Sequence, residues 1–167
     1  MKIKFFIIFL FIAISNGCSE ADSNIVIPQV NLGVDNLILD EFAPICGKKV
    51  GLFTNFSGRT SEGILTAEIM AKQSLFSLKY FFSPEHGFYG ENYAGEKVEN
   101  CKVFNIPVIS LYGVSRRPDI NILKELDVIL IDIQDIGIRS YTFLSSVNYL
   151  LTACAEADIE VIILDRP

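Results

Sequence analysis

The chain has 167 residues, of which 50% are hydrophobic and 20% are charged, and its formal net charge is −6. So large an apolar fraction excludes a disordered chain, because that surface must be buried in a core. The excess of acidic residues argues against a nucleic-acid partner, since no basic footprint is available to neutralise phosphates.

The first residues have the pattern of a secretory signal peptide. Two lysines precede an unbroken apolar run over residues 5–14, which is shorter than the roughly 20 residues of a membrane-spanning helix. Cys18 follows a small residue, as in the cleavage box of bacterial lipoproteins. We expect a signal peptide over 1–17, a lipid anchor on Cys18 and a polar tether over 18–33, and hence export to the periplasm or outer membrane. The alternative is plain signal cleavage, with Cys18 an ordinary residue.

Helices and strands alternate along the rest of the chain. The predicted elements are a helix over 34–42, a strand over 49–54, a helix over 62–72, strands over 78–82 and 108–111, a helix over 119–126, a strand over 128–133, a helix over 140–157 and a strand over 160–164. The strands are rich in Val and Ile, as expected of a parallel sheet that is buried on both faces. This alternation predicts a three-layer α/β fold over residues 34–167.

Two features of this layout bear on function and completeness. The predicted loop over 83–107 is unusually long, and long loops of this kind are often functional. The last predicted strand is followed by no closing helix, so we expect the chain to be the amino-terminal part of a longer catalytic domain. The alternative is a complete small domain, since about 150 residues can fold alone.

The cysteines give little evidence of a disulfide framework or a zinc site. Cys46, Cys101 and Cys154 are left once Cys18 is set aside, and three cysteines cannot all pair internally. Their spacing fits no zinc pattern. We predict Cys154 to be a small core residue of the last helix, whereas a disulfide between Cys46 and Cys101 stays open.

Polar residues gather where the predicted strands end. The carboxyl ends of parallel strands meet at one edge of a sheet, which is where open α/β sheets bind ligands. A functional site is therefore expected at this edge. The residues placed there are Asn55, Glu85, His86, Tyr112, Asp132, Gln134, Asp135, Arg139, Tyr141 and Arg166.

The chemistry available at this edge is that of carboxylates. No glycine-rich phosphate loop and no G-x-S-x-G elbow is present, and His86 is the only histidine, so we expect no cofactor and no metal. Glu85, Asp132 and Asp135 could supply an acid and a partner base or stabiliser, as glycoside cleavage requires. An acid at Glu85 needs a raised pKa, which partial burial in the loop would provide. The alternative is that Glu85 is a surface glutamate beside a turn.

The remaining charged residues divide into structural and binding candidates. Asp132 lies inside a strand and must be paired, with Arg139 or Arg166 as the partner, so it could be purely structural. Asp135 is then the better exposed candidate. Arg139 is suited to bidentate binding of a ligand carboxylate. Arg116 and Arg117 are expected to include a solvated surface charge.

Six short segments occur in a fixed order. They are Phe-Ser-Pro-Glu-His-Gly-Phe (82–88), Ala-Gly-Glu (94–96), Ser-Leu-Tyr-Gly (110–113), Asp-Ile-Gln-Asp-Ile-Gly (132–137), Arg-Ser-Tyr-Thr (139–142) and Leu-Asp-Arg-Pro (164–167). Together they resemble the NamZ-type exo-β-N-acetylmuramidases over residues 48–167. The resemblance implies a secreted or lipid-anchored bacterial glycosidase that releases terminal N-acetylmuramic acid from the non-reducing ends of peptidoglycan fragments. It also implies a Rossmann-like catalytic domain followed by a smaller domain, with the cleft between them.

The resemblance also suggests roles for particular residues. It implies that Glu85 is the catalytic acid and that the sugar pocket is lined by His86, Tyr112, Gln134, Asp135, Arg139 and Tyr141, with Arg139 assigned to the lactyl carboxylate. We add Asp135 as the second catalytic carboxylate, and Asn55 and Arg166 as substrate-binding residues. The expected partners are a muropeptide or disaccharide from peptidoglycan and a membrane, contacted through the lipid anchor. Family members continue beyond the last segment, so half of the cleft is expected to be missing.

Two other functions are compatible with the sequence. One is a non-catalytic, lipid-anchored protein that binds glycans in the same pocket. The other is a carboxylate-dependent hydrolase of a different sugar or ester, which the missing nucleophile elbow disfavours.

Overall fold

A computed structural model describes residues 30–167 of the chain. The predicted signal peptide, the lipidation site Cys18 and most of the predicted tether lie outside these residues. Among the helices that are described, none combines the length and the apolar character needed to cross a bilayer.

A six-stranded sheet forms the centre of the fold. Its strands are β1 (Lys49–Thr54), β2 (Ser77–Ser83), β3 (Cys101–Val103), β4 (Ile106–Ser110), β5 (Val128–Asp132) and β6 (Glu160–Ile163), and their spatial order is β3-β4-β2-β1-β5-β6. Neighbouring strands are parallel, except that β3 runs antiparallel to β4. All five predicted strands are present, and the bounds of β1 are those predicted.

Helices cover both faces of this sheet. They are α1 (Gly33–Leu39), α2 (Thr66–Ala71), α3 (Ile120–Leu123) and α4 (Phe143–Ala157), with a 3-10 turn at Ala43–Ile45. The first two helices share one apolar core with Leu52 and Phe81. The last two share a second core with the adjacent strand residues Phe53 and Phe82, whose side chains point to the opposite face. This arrangement confirms the predicted three-layer α/β fold.

The helices are shorter than predicted, because local turns stop or delay them. The first ends at Leu39, and Glu41 and Phe42 then take left-handed backbone angles, with φ of 50° and 59°. The second starts only at Thr66, after a turn in which the Gly63 amide donates to the Thr60 carbonyl. The remaining two helices also begin later than predicted.

One strand was not predicted at all. β3 lies inside the segment predicted as loop, and it forms a hairpin with β4 in which Cys101 is opposite Val108. The two turn residues Phe104 and Asn105 both have positive φ, at 52° and 63°, as a tight two-residue hairpin requires. β3 thereby covers what would otherwise be the open edge of β4.

The cysteines do not stabilise this fold through a cross-link. Within the described residues, Cys46, Cys101 and Cys154 carry free thiols, so the disulfide that the sequence left open between the first two is not formed. Cys154 is buried in the core beneath α4, as predicted, and burial raises the pKa of its thiol to about 11.

Candidate active site

The residues that follow four parallel strands meet at one edge of the sheet. Thr54 at the end of β1 is opposite Asp132 of β5, and Ser83 at the end of β2 is opposite Ser110 of β4. The segments that leave these strands therefore emerge side by side. The expected meeting of the candidate residues at one edge is confirmed.

Glu85 is the buried carboxylate of this edge. Glu85 is only 6% exposed to solvent. Oε1 accepts a hydrogen bond from the Gly95 amide at 2.7 Å, and Oε2 accepts one from the Thr142 hydroxyl at 2.5 Å. The Tyr112 phenol faces the same carboxylate and favours its ionised form. Groups from three separate segments of the chain thus converge on one carboxylate.

These donors lower the pKa of Glu85. Burial raises the pKa of a carboxyl group, because it disfavours the ionised form. At Glu85 this effect is opposed by the hydrogen bonds from Thr142 and Gly95, by the Tyr112 phenol and by the nearby His86, and the outcome is a pKa below the usual range. The raised pKa expected from burial alone is therefore wrong, and Glu85 is ionised at neutral pH.

Thr142 is a residue of this site that the sequence analysis missed. The sequence pattern predicts it inside the last helix, whereas in the structure it is the N-cap residue of α4, with φ of −91° and ψ of −8°. A threonine at the start of a helix usually caps it by accepting from a backbone amide, so its position does not predict a contact with a distant side chain. The available signal was only its place in the Arg-Ser-Tyr-Thr segment.

Tyr112 connects Glu85 to a cation. The guanidinium carbon of Arg116 lies 4.8 Å from the centre of the Tyr112 ring, within the range of a cation–π contact. Burial and the neighbouring Glu85 raise the pKa of the phenol, so it remains a proton donor. Arg116 is exposed, in line with the surface charge expected at this pair of arginines, and it also contacts the Tyr112 ring. Arg117 forms an ion pair with Glu156.

His86 is held in the loop that follows β2. Its backbone is left-handed, with φ of 68°, and its Nδ1 is 2.8 Å from the carbonyl oxygen of Asn92. Because a carbonyl only accepts, Nδ1 carries a proton in this contact. The ring also borders a pocket of about 310 Å³, which contains the buried Ser83.

Asp132 and Arg166 form a buried ion pair beside the site. Arg166 donates to Asp132 from Nε to Oδ1 at 2.5 Å and from Nη2 to Oδ2 at 3.1 Å. The Arg166 side chain is 8% exposed and the Asp132 side chain 0%. The Thr66 hydroxyl and the Arg59 carbonyl complete the cluster. The expectation that Asp132 must be paired is confirmed, with Arg166 rather than Arg139 as its partner. Substrate binding by Arg166 stays a prediction, and its guanidinium is largely committed to this pair.

Asn55, Gln134 and Asp135 form a second polar group at the same edge. The Asn55 side-chain oxygen accepts from the Ser57 amide at 2.9 Å and hydroxyl at 2.6 Å, and that hydroxyl accepts from the Gln134 amide at 3.0 Å. Asp135 accepts from the Gly137 amide at 2.7 Å. Within residues 30–167, Asn55 Nδ2 and Asp135 Oδ2 are buried and have no hydrogen-bond partner. Both atoms are available to a ligand that reaches them.

Arg139 and Tyr141 lie on the segment that leads into α4. Arg139 is exposed, and the half-buried Tyr141 ring packs against Phe143 with 4.6 Å between ring centres. Thr142, the next residue, is the point at which this segment contacts Glu85. The structure thus joins Glu85, Tyr112 and Thr142 directly, and it places Arg139 and Tyr141 on the same short segment.

Comparison with known proteins identifies the family. Residues 50–167 match the family model described as exo-beta-N-acetylmuramidase NamZ, N-terminal. The chain belongs to this family. It is 35% identical over 142 residues to the peptidoglycan beta-N-acetylmuramidase NamZ of Bacillus subtilis strain 168, an alignment that covers 84% of this chain and 34% of that protein.

Two crystal structures of DUF1343 family proteins from Bacteroides fragilis NCTC 9343 are similar to this NamZ-family chain. One is 39% identical with a TM-score of 0.73, and covers 82% of this chain and 34% of its own. The other is 31% identical with a TM-score of 0.65, and the match covers 83% of this chain and 35% of the other. The resemblance inferred from the six segments is therefore confirmed. The chain spans about a third of the length of the relatives that it matches.

Proposed function

We propose that the protein is a glycoside hydrolase that acts on peptidoglycan fragments and releases terminal N-acetylmuramic acid from their non-reducing ends. Membership of the NamZ family and the 35% identity to a named peptidoglycan muramidase support this reaction class. The observation that carries the proposal is Glu85, a buried and ionised carboxylate held by uncharged donors at the ligand-binding edge of the sheet.

The state of Glu85 indicates which role it can take. Glycoside cleavage passes through a transition state with positive charge at the anomeric carbon, and an ionised carboxylate stabilises that charge or accepts a proton from water. Protonating the leaving oxygen would instead require Glu85 to hold a proton, which its hydrogen bonds oppose. We therefore propose that Glu85 acts in its ionised form. Asp135 is the proposed second carboxylate, because its Oδ2 is buried and has no hydrogen-bond partner among the described residues.

The substrate contacts are proposed from the same edge. Tyr112, His86, Gln134 and Asn55 offer donors and acceptors suited to sugar hydroxyl and acetamido groups. Arg139 is exposed and can pair bidentately with the lactyl carboxylate that distinguishes N-acetylmuramic acid from N-acetylglucosamine.

The location of the protein is part of the proposal. Export through the predicted signal peptide and attachment through Cys18 would place the enzyme on the periplasmic side of a membrane, where peptidoglycan fragments occur. Membrane fractionation of cells that express wild type or Cys18→Ser tests this point. Retention of both forms in the membrane fraction would contradict lipid anchoring.

The test of the reaction uses two matched substrates. The full chain is incubated with a chromogenic N-acetylmuramic acid glycoside and with the corresponding N-acetylglucosamine glycoside, and binding of a muramyl disaccharide is measured by calorimetry. We expect release from the first glycoside and little from the second. Binding without release would favour the non-catalytic glycan-binding alternative. Absence of both would reject the proposed substrate.

A further inference from the structure

The start of α4 is used in an unusual way. Thr142 occupies the N-cap position of a 15-residue helix, yet within the described residues its side chain makes no capping hydrogen bond. A threonine hydroxyl in this position ordinarily accepts from an amide of the first turn and thereby stabilises the helix. Here the helix lacks that contribution from Thr142.

Another helix of the same chain shows the ordinary arrangement. Asp119 precedes α3, and its Oδ1 accepts from the Asn121 amide at 2.8 Å. The fold therefore provides a side-chain cap for a helix of only four residues while the much longer α4 goes without one. The hydroxyl of Thr142 is not used for capping and can bind another group.

The group that this hydroxyl binds is the carboxylate of Glu85. The Thr142 hydroxyl donates to Oε2 at 2.5 Å, across 57 positions of sequence, while Oε1 is held by the amide of Gly95. Gly95 lies in an exposed loop, whereas Thr142 is followed by the buried Phe143, the first residue of α4. The more firmly supported of the two contacts is thus the one from the start of α4.

We propose that Thr142 is a positioning residue for Glu85, whose hydroxyl fixes Oε2 at the start of α4 and thereby holds the carboxylate in the orientation used in catalysis. The catalytic part of this statement rests on the proposed function, whereas the contact itself does not. The amino-terminal end of the helix reinforces it, because the helix dipole favours a negative charge there.

The test separates donation by the hydroxyl from the shape of the side chain. Thr142→Val keeps the shape and removes the donor, Thr142→Ser keeps the donor, and Thr152→Val makes the same change at an exposed position of the same helix. The pKa of Glu85 is measured in each full chain by carbon-13 NMR of labelled glutamate carboxyl groups, with Glu85→Gln identifying the signal. Sugar release is followed against pH in parallel.

The expected results are specific to the donor. Thr142→Val raises the pKa of Glu85, moves the acidic limb of the pH profile of sugar release to higher pH and lowers kcat/KM by roughly tenfold. Thr142→Ser and Thr152→Val behave like wild type in all three measurements. If the valine variant does not fold, Thr142→Ala replaces it under the same criteria.

The two proposals fail in different ways. An unchanged pKa of Glu85 in Thr142→Val overturns the role of Thr142, even if wild type releases sugar normally. A raised pKa in that variant, together with no sugar release by wild type, supports the positioning contact and rejects the muramidase reaction.

Discussion

Two buried carboxylates at the same edge of the sheet are held in contrasting ways. Asp132 and Glu85 each accept a hydrogen bond from a threonine at the start of a helix, namely Thr66 of α2 and Thr142 before α4. Asp132, however, is also paired with the guanidinium of Arg166, whereas the hydrogen bonds to Glu85 come from uncharged groups.

The difference separates a carboxylate in a buried ion pair from the one proposed to act in catalysis. A buried ion pair neutralises both charges and ties their segments together, so Asp132 fixes the end of β5 to the end of the chain. Uncharged donors keep Glu85 ionised without cancelling its charge, which leaves that charge available to a substrate. Two carboxylates at the same edge of the sheet are therefore suited to different chemistry.

The largest effect that we expect is on stability at Asp132. Asp132→Ala leaves the Arg166 guanidinium buried without its partner and should lower the free energy of unfolding by about 3–5 kcal/mol. Urea unfolding of the full chain measures it, and Glu85→Gln serves as the matched removal of the other carboxylate, with an expected loss of less than about 2 kcal/mol. Equal losses of unfolding free energy in the two variants would contradict the distinction between Asp132 and Glu85.

A smaller effect should follow from removing the two threonine hydroxyls. Thr66→Val takes one donor from a fully buried carboxylate and should cost about 1–3 kcal/mol of unfolding free energy. Thr142→Val should cost less, about 1 kcal/mol, because Glu85 is slightly exposed whereas Asp132 is fully buried. The same unfolding assay applies, and a greater loss in Thr142→Val than in Thr66→Val would show that Glu85 is the more structural of the two.

The smallest effect concerns the pH dependence of stability. The folded-state pKa of Glu85 lies below its usual value of 4.5, so ionised Glu85 stabilises the fold above that value. This contribution is lost as pH falls through the folded pKa. The difference in unfolding free energy between wild type and Glu85→Gln should therefore shrink between about pH 7 and about pH 3. A difference that grows on acidification would mean that the pKa of Glu85 is raised.

Much of the fold was predictable because buried parallel strands appear in the sequence as continuous apolar runs. The apolar runs of β1 and β5 gave their positions almost to the residue, and the alternation with helices gave the three layers. β3 was missed because Cys-Lys-Val is too short to show a period. Its hairpin turn, Phe104-Asn105, also lacks the glycine by which such turns are usually recognised.

The site was predictable in its location but not in its charges. Parallel topology requires that Asn55, Glu85 and Tyr112 lie at one edge, and the need to pair a buried Asp132 follows from desolvation alone. The ionised state of Glu85 depends on hydrogen bonds from Gly95 and Thr142. Such contacts arise from the path of the loop and the docking of α4, which no local pattern in the sequence encodes.

The most direct test of the account is sugar release by wild type and Glu85→Gln at neutral pH, with the folded fraction of each verified by unfolding. We predict that the glutamine variant still binds muramyl disaccharide but releases N-acetylmuramic acid about 10²- to 10⁴-fold more slowly. Release at the wild-type rate would remove Glu85 from the reaction and contradict the account.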